Sequence, residues 1–111
     1  MREKKRYHIR FVGQVQGVGF RYTATHLAKN YGLTGWVYND YDGSVISEVQ
    51  GDKDAIDEWI RMIGAARYIR IERVEKAEVD VVEDERIFGE VLGYKLFVRG
   101  VFYGLRQSTI I

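Results

Sequence analysis

The sequence predicts an α+β protein with the ferredoxin-like β-α-β-β-α-β order, an antiparallel sheet with two helices on one face and an extra C-terminal strand. Short segments with alternating apolar residues indicate strands, and two longer segments with apolar residues every three or four positions indicate amphipathic helices. The order in which these segments follow one another predicts the fold class. The same fold serves enzymes, RNA-binding modules and metal-binding modules, so it predicts no function by itself.

The first predicted strand, residues 7–12, follows a strongly basic segment. A period of two directs Tyr7, Ile9 and Phe11 toward the core and His8 toward the opposite face, where we expect it to be solvated and not a ligand. We expect the basic segment to be a solvated terminal arm, with a nucleic-acid contact as the alternative. Its basic residues are Arg2, Lys4, Lys5, Arg6 and Arg10.

The first helix is predicted to begin at Phe20 and to end before Gly32, a residue type that commonly terminates helices. His26 lies outside its apolar stripe and is expected at the surface. The stripe consists of Phe20, Ala24, Leu27, Ala28 and Tyr31. Two strands follow at 33–39 and 45–50, and the intervening Asp-Gly pair predicts that they form a hairpin.

The second helix is predicted to begin after Asp52 or Asp54, either of which can cap it, and to extend to about Gly64. Its buried stripe consists of Ile56, Trp59, Ile60 and Ile63. The remaining assignments are a fourth strand at 74–82, a solvated loop at 83–86 and a fifth strand at 94–99. We divide the chain into a domain at 1–99 and a C-terminal extension at 100–111.

The composition excludes several kinds of site. A chain of 111 residues is long enough for one domain with its own core. It contains no cysteine, which excludes a disulfide framework, a thiolate metal site and a cysteine nucleophile. With His8 and His26 as its only histidines, a zinc site within one chain would need carboxylates, and we expect no metal.

The charge and the hydropathy pattern limit the partners. The net charge of +1 argues against a dedicated polyanion binder, so no nucleic-acid partner is expected. No apolar run approaches the ~18 residues of a membrane span, and no signal-peptide core follows Met1. We therefore expect a cytoplasmic protein without a membrane partner.

Between the first strand and the first helix lies a glycine-rich loop without charged residues, and Arg21 follows it in the first helical turn. Unpaired amides and the helix dipole favour an anion there, and a guanidinium adds a planar fork that matches phosphate oxygens. Neither familiar phosphate motif fits: Tyr22 stands where a dinucleotide fingerprint needs glycine, and a Walker A loop needs lysine. These residues leave two alternatives, a phosphate-sized anion site or a tight connection beside a surface arginine.

Two segments of the chain resemble the signatures of the acylphosphatase family. Residues 13–21 (GQVQGVGFR) resemble the first signature, and residues 33–39 (LTGWVYN) with 42–45 (DGSV) resemble the second. The similarity extends from about Tyr7 to Arg99. It implies a stand-alone hydrolase of carboxyl-phosphate anhydrides that forms a carboxylate and orthophosphate without metal or cofactor.

The resemblance also implies roles for particular residues. Arg21 would bind the phosphoryl group and Asn39 would hold the attacking water. The loop amides that would cradle the phosphoryl oxygens belong to Val15, Gln16, Gly17, Val18, Gly19 and Phe20. An acyl phosphate already carries a good leaving group, so positioning and charge stabilisation suffice. The expected partners are a small-molecule acyl phosphate and inorganic phosphate as product and inhibitor, and we expect a monomer.

The chain departs from the family pattern at three places. Gln14 stands where arginine is frequent, a change that a loop acting through backbone amides should tolerate. Residues 64–67 (GAAR) replace a common Gly-Pro-Pro, which leaves the shape of that connection open. The apolar extension 100–111 leaves three alternatives: packing on the sheet edge, exchange between subunits, or fraying.

Two other functions compete with this interpretation. One is an RNA-binding module, because residues 99–104 weakly resemble a basic-Gly-aromatic motif, although that motif belongs on the third strand, which carries no aromatic residue. The other is an acylphosphatase-like domain of a carbamoyl-transfer enzyme. Those domains usually read Phe-Arg-Pro where this chain has Phe20-Arg21-Tyr22, and the chain length favours the stand-alone enzyme.

Overall fold

A computed structural model describes residues 3–92 and the backbone of residues 95–98 and 101–104. The elements in chain order are β1 (Lys4–Gln14), α1 (Phe20–Asn30), β2 (Thr34–Asn39), β3 (Val45–Asp52), α2 (Lys53–Gly64), β4 (Arg70–Val79), β5 (Phe88–Leu92), β6 (Lys95–Val98) and β7 (Val101–Gly104). They form one sheet in the order β4-β1-β3-β2-β5-β6-β7. The predicted β-α-β-β-α-β arrangement is thereby confirmed.

Strand pairing places the loop after β1 and the turn after β2 at the same end of the sheet. β1 pairs antiparallel with β3 and β4, and β2 pairs antiparallel with β3, with Asn39 opposite Val45. The predicted hairpin is confirmed, and its turn is closed by a hydrogen bond from the Asp40 amide to the Ser44 carbonyl at 2.9 Å. The sheet is mixed and not purely antiparallel, because β5 pairs parallel with β2.

The core lies between the sheet and the two helices. Tyr7, Ile9 and Phe11 are buried and belong to it, as the alternation in the first strand predicts. Trp59 of α2 is fully buried, donates from Nε1 to the Ala24 carbonyl at 2.9 Å and meets Phe11 and Phe88 edge-on. The other core residues that the helices contribute are Phe20, Ala24, Ala28, Ile56 and Ile63. His26 is exposed, as predicted.

The basic segment is not a solvated arm, because β1 begins at Lys4 and Arg6 is only 1% exposed. Arg6 lies on the sheet face opposite the helices, where its Nε is 2.7 Å from Glu48 Oε1 and its Nη1 is 2.8 Å from Glu85 Oε1. Its Nη1 also donates to Gln50 Oε1 at 3.1 Å. We call these four residues the Arg6 cluster. A buried guanidinium requires such partners, and the neighbouring strand and the segment after β4 supply them.

Two further expectations for this face are corrected by the structure. Residues 83–86 are not simply a solvated loop, because Glu85 is largely buried and also accepts a hydrogen bond from Thr34 Oγ1 at 2.7 Å. His8 does lie on the face opposite the core, but it is only partly exposed. Its Nδ1 is 2.9 Å from Glu48 Oε2. Arg2 lies outside the described residues.

The C-terminal half differs most from the sequence-based assignment. β4 begins four residues earlier than predicted and ends at Val79. The prediction misplaced both ends because this edge strand is exposed on both faces and lacks a clear alternation of apolar and polar residues. β5 was not predicted, since Gly89 and Glu90 interrupt its apolar residues. The predicted fifth strand at 94–99 corresponds to β6, which pairs antiparallel with β5.

The extension predicted at 100–111 contains β7, whose backbone pairs with β6. Residues 105–111 lie outside the described residues, and the division of the chain at residue 99 stays a prediction. Neither described helix is long and apolar enough to cross a membrane.

Candidate active site

The loop between β1 and α1 is anchored at both ends by buried apolar side chains. Val15 at its start and Phe20 at its end are almost completely buried in the core. Between them, Gly17 and Gly19 are exposed and adopt φ values of 73° and 80°, in the left-handed region that favours glycine. The sequence therefore holds the loop ends firmly and allows its backbone to turn sharply at the surface.

The start of α1 has the properties of an anion-binding helix end. The N-cap residue is Gly19, no side chain caps the helix and no acidic residue lies in the first turn. The first described helical bond runs from the Thr23 amide to the Gly19 carbonyl at 3.0 Å, so the amides of Phe20, Arg21 and Tyr22 precede it. Together with the positive end of the helix dipole, these amides favour an oxyanion.

Arg21 extends from this first turn and is one-third exposed. Its Nε lies 3.5 Å from Oε1 of Glu90, a residue of β5. Sequence inspection missed Glu90 because it missed β5. The sequence feature that could have indicated β5 is the pair of apolar residues on each side of Gly89 and Glu90. Each pair is shorter than the apolar patterns that usually indicate a strand.

Asn39 ends β2 and is partly buried. Its Oδ1 is inaccessible to solvent and has no hydrogen-bond partner among the described residues. A buried acceptor normally finds a partner, so this unsatisfied oxygen marks Asn39 as a candidate functional residue.

The Gln16 side chain ties the loop to the turn that carries Asn39. Its Nε2 donates to the Asp40 carbonyl at 2.6 Å and to the Ser44 carbonyl at 2.8 Å. The sequence-based interpretation assigned Gln16 a role through its backbone amide alone, since no local pattern indicates a contact 24 positions away. The structure thus brings the loop and the Asn39 turn together, with Arg21 beginning at the loop's end.

Asp42 orders the turn beside Asn39. Its Oδ1 accepts hydrogen bonds from the Ser44 hydroxyl at 2.7 Å and from the Ser44 amide at 2.9 Å, and its Oδ2 contacts Arg10. The hydrogen bond from the Ser44 hydroxyl is the main cause that lowers the pKa of the Asp42 carboxyl. A charged Asp42 therefore holds the turn at neutral pH.

Over the described ranges, no three His, Asp or Glu side chains lie close enough together to hold a metal ion. The polar groups that the site does present are backbone amides, the guanidinium of Arg21 and the carboxamides of Gln16 and Asn39. These are hydrogen-bonding groups suited to an oxyanion and a water.

Comparison with known proteins identifies the family. The family model described as Acylphosphatase matches residues 7–89. An acylphosphatase of Geobacillus kaustophilus (strain HTA426) is 41% identical over 90 residues, which cover 80% of this chain and 96% of that protein.

Solved structures agree with this match. The acylphosphatase from Bacillus subtilis has a TM-score of 0.74 at 29% identity, covering 79% of this chain and 99% of that chain. A full-length HypF in its phosphate- and nucleotide-bound form has a TM-score of 0.71 at 33% identity, covering 82% of this chain but 12% of that chain. Because the family model spans most of the sequence, and the named acylphosphatases match over nearly their whole length, this chain belongs to the acylphosphatase family, a family of hydrolases.

Proposed function

We propose that this chain hydrolyses acyl phosphates by direct attack of water on the phosphorus atom. The amides of residues 15–20 and Arg21 bind the phosphoryl group, and Asn39 holds the water. The observation that carries the proposal is the pair of hydrogen bonds from the Gln16 side chain to the turn that follows Asn39. They join the candidate anion-binding loop to the residue whose buried amide oxygen has no described partner. A phosphoryl site and a water site in one rigid unit are what an in-line displacement needs.

The chemistry follows from these donors. The water oxygen forms a bond to phosphorus while the bond from phosphorus to the carboxylate oxygen breaks, which gives a carboxylate and orthophosphate. The leaving carboxylate is weakly basic, so it departs without protonation by a strong acid. Asn39 accepts a hydrogen bond from the water but is too weak a base to deprotonate it, and the proton ends on the orthophosphate product. Loop amides and Arg21 stabilise the charge on the equatorial oxygens.

This proposal includes the partners of the reaction. The substrate is a small acyl phosphate, and orthophosphate competes with it as the product at the same site. No metal or cofactor takes part, because the amides and the guanidinium supply the charge stabilisation. The proposed working unit is a monomer. The proposed compartment is the cytoplasm, in which a chain without cysteine folds without disulfide chemistry.

The test is phosphate release from benzoyl phosphate in the presence of EDTA, with variants of the two proposed catalytic residues. The wild type is expected to turn over at the same rate with and without EDTA. Arg21→Ala and Asn39→Ala are each expected to lose about 10²-fold or more, as for removal of one transition-state donor. Arg21→Lys should recover only part of the loss, because an ammonium lacks the planar fork.

Phosphate inhibition separates the two roles. Arg21→Ala should weaken competitive inhibition by inorganic phosphate, whereas Asn39→Ala should leave it near the wild-type value. Arg73→Ala is the matched control, because Arg73 is an exposed arginine of the edge strand β4. An inactive wild type, or activity abolished by EDTA, contradicts the proposal. Normal turnover by Asn39→Ala contradicts the water-holding role.

A further inference from the structure

The strand β5 directs Glu90 toward the start of α1. β5 lies parallel beside β2, with Glu90 in register with Val37. Phe88, two residues earlier, is buried in the core beneath the helices. Since alternate residues of a strand share a face, Glu90 lies on the helix side of the sheet. There its Oε1 is 3.5 Å from Arg21 Nε, and the two side chains are 23% and 33% exposed.

We propose that Glu90 is a positioning residue for Arg21 and that its charge limits how tightly the site holds phosphate. This inference rests on the proposed phosphate-binding role of Arg21. It adds a carboxylate, outside both family signatures and on a strand that sequence inspection missed, to the groups that set affinity at this site.

The positioning role follows from which nitrogen Glu90 faces. A carboxylate beside Nε occupies one side of the guanidinium and leaves the two terminal nitrogens as a fork for phosphoryl oxygens. An arginine side chain has many rotamers, and ordering it upon binding costs free energy. A standing partner at Nε removes part of that cost for the transition state, so the positioning role is expected in kcat, whereas the charge of Glu90 acts on phosphate affinity.

The charge role follows from the sign of Glu90. α1 has no acidic residue in its first turn, and Glu90 of β5 brings a negative charge to within 3.5 Å of the Arg21 guanidinium that extends from that turn. It offsets the charge of Arg21 and opposes a phosphate anion near it. Tight binding of the product gives no advantage in turnover, because only interactions that strengthen in the transition state accelerate the reaction. A counter-charge in this position favours release of orthophosphate.

The experiment compares Glu90→Gln, Glu90→Asp and the control Glu83→Gln, which neutralises an exposed carboxylate of the β4–β5 connection. Inorganic phosphate is titrated calorimetrically, and its competitive inhibition is measured with benzoyl phosphate. Glu90→Gln is expected to bind phosphate about three- to tenfold more tightly, the size typical of one partly screened charge, with a lower kcat. Glu90→Asp and Glu83→Gln should stay within about twofold of wild type in phosphate affinity, because both keep the charge at position 90.

Ionic strength provides a readout that a merely structural role would not change. The affinity gain of Glu90→Gln should shrink in concentrated salt, because the repulsion that it removes is screened there. If Glu90→Gln binds phosphate no more tightly than wild type at low salt, the inference is overturned. An inactive wild type would instead overturn the proposed hydrolysis, while the calorimetric titration would still test Glu90. Since the pair is partly exposed, its loss leaves the fold intact.

Discussion

Asn39 and Gln16 carry the same functional group in different environments, and the environments give them different uses. The amide nitrogen of Gln16 donates to two backbone carbonyls, so that side chain acts as a cross-link. The amide oxygen of Asn39 is buried and has no partner in the described part of the chain, so its capacity to accept a hydrogen bond is unused. Residue type alone does not distinguish these uses, because they depend on what lies within hydrogen-bond distance.

At the scale of one residue, Asp42 is expected to make the stability of the protein depend on pH. Its pKa is lowered in the folded protein, mainly by the Ser44 hydroxyl, below its ordinary value of 3.8. A lowered folded-state pKa contributes stability that is fully present above the unfolded-state pKa and is lost as the pH falls through the folded-state pKa. Asp42→Asn should therefore have a lower Tm than wild type at roughly pH 6–8, where the wild-type carboxyl is charged.

The difference in Tm should shrink below about pH 4 and vanish at lower pH, where both proteins carry a neutral side chain. Thermal unfolding followed by circular dichroism measures it. A deficit of Asp42→Asn that is undiminished at about pH 2 would contradict the assignment of Asp42 as a charged turn residue.

At the scale of elements, the Arg6 cluster attaches the connection between β4 and β5 to the open face of the sheet. Arg6 binds Glu85 of that connection, and Gln50 exchanges two hydrogen bonds with the Val82 backbone, at 2.8 and 2.9 Å. Although burial opposes it, the two carboxylates raise the pKa of Arg6, which therefore stays charged. The connection leads directly into β5, so the cluster also helps to place the strand that carries Glu90.

Arg6→Met tests this attachment. Removing the guanidinium leaves Glu48 and Glu85 in low-polarity surroundings without their cation, which typically costs about 3–5 kcal/mol in the free energy of unfolding. Urea denaturation measures that loss. Adding Glu48→Gln and Glu85→Gln to Arg6→Met should recover most of it, because no uncompensated charge then remains. A loss below about 1 kcal/mol in Arg6→Met would show that the cluster contributes no more than a surface ion pair.

At the scale of the whole molecule, Trp59 joins the two layers. It lies on α2, donates to the backbone of α1 and meets aromatic rings of β1 and β5. Both ends of the loop that forms the candidate site, Val15 and Phe20, belong to the same buried cluster. The packing of that cluster therefore supports the position of the site as well as the stability of the fold.

Trp59→Phe is expected to lower the free energy of unfolding by about 2–4 kcal/mol, since it removes a buried hydrogen bond and leaves a cavity. Urea denaturation measures the change, and Tyr68→Phe, at an exposed position, should change stability by less than about 0.5 kcal/mol. If Trp59→Phe is as stable as wild type, the indole does not hold the layers together in the way described.

The sequence by itself determined the features that depend on near neighbours. The alternation in β1, the apolar stripes of both helices, the Asp-Gly turn and the glycine loop are visible within windows of about a dozen residues, because strand and helix periods and turn geometry are local. The two signature segments, 13–21 and 33–39 with 42–45, also lie within such windows, and for this reason the sequence alone predicts the family. The roles of Arg21 and Asn39 stay predictions, to be decided by the variants described above.

Only the tertiary structure decided which distant residues meet. The buried Arg6 pairs with carboxylates 42 and 79 positions away along the chain. The Gln16 side chain donates to a turn 24 positions away. β5 is a strand because β2 offers it a free edge, although its own five residues carry a weak pattern. Burial, ion pairing and sheet pairing are properties of residues in contact, and contact is set by the fold and not by the neighbours along the chain. The absence of cysteine is a property of the sequence alone, whereas the proximity of the Glu90 carboxylate to Arg21 depends on the pairing of β5 with β2.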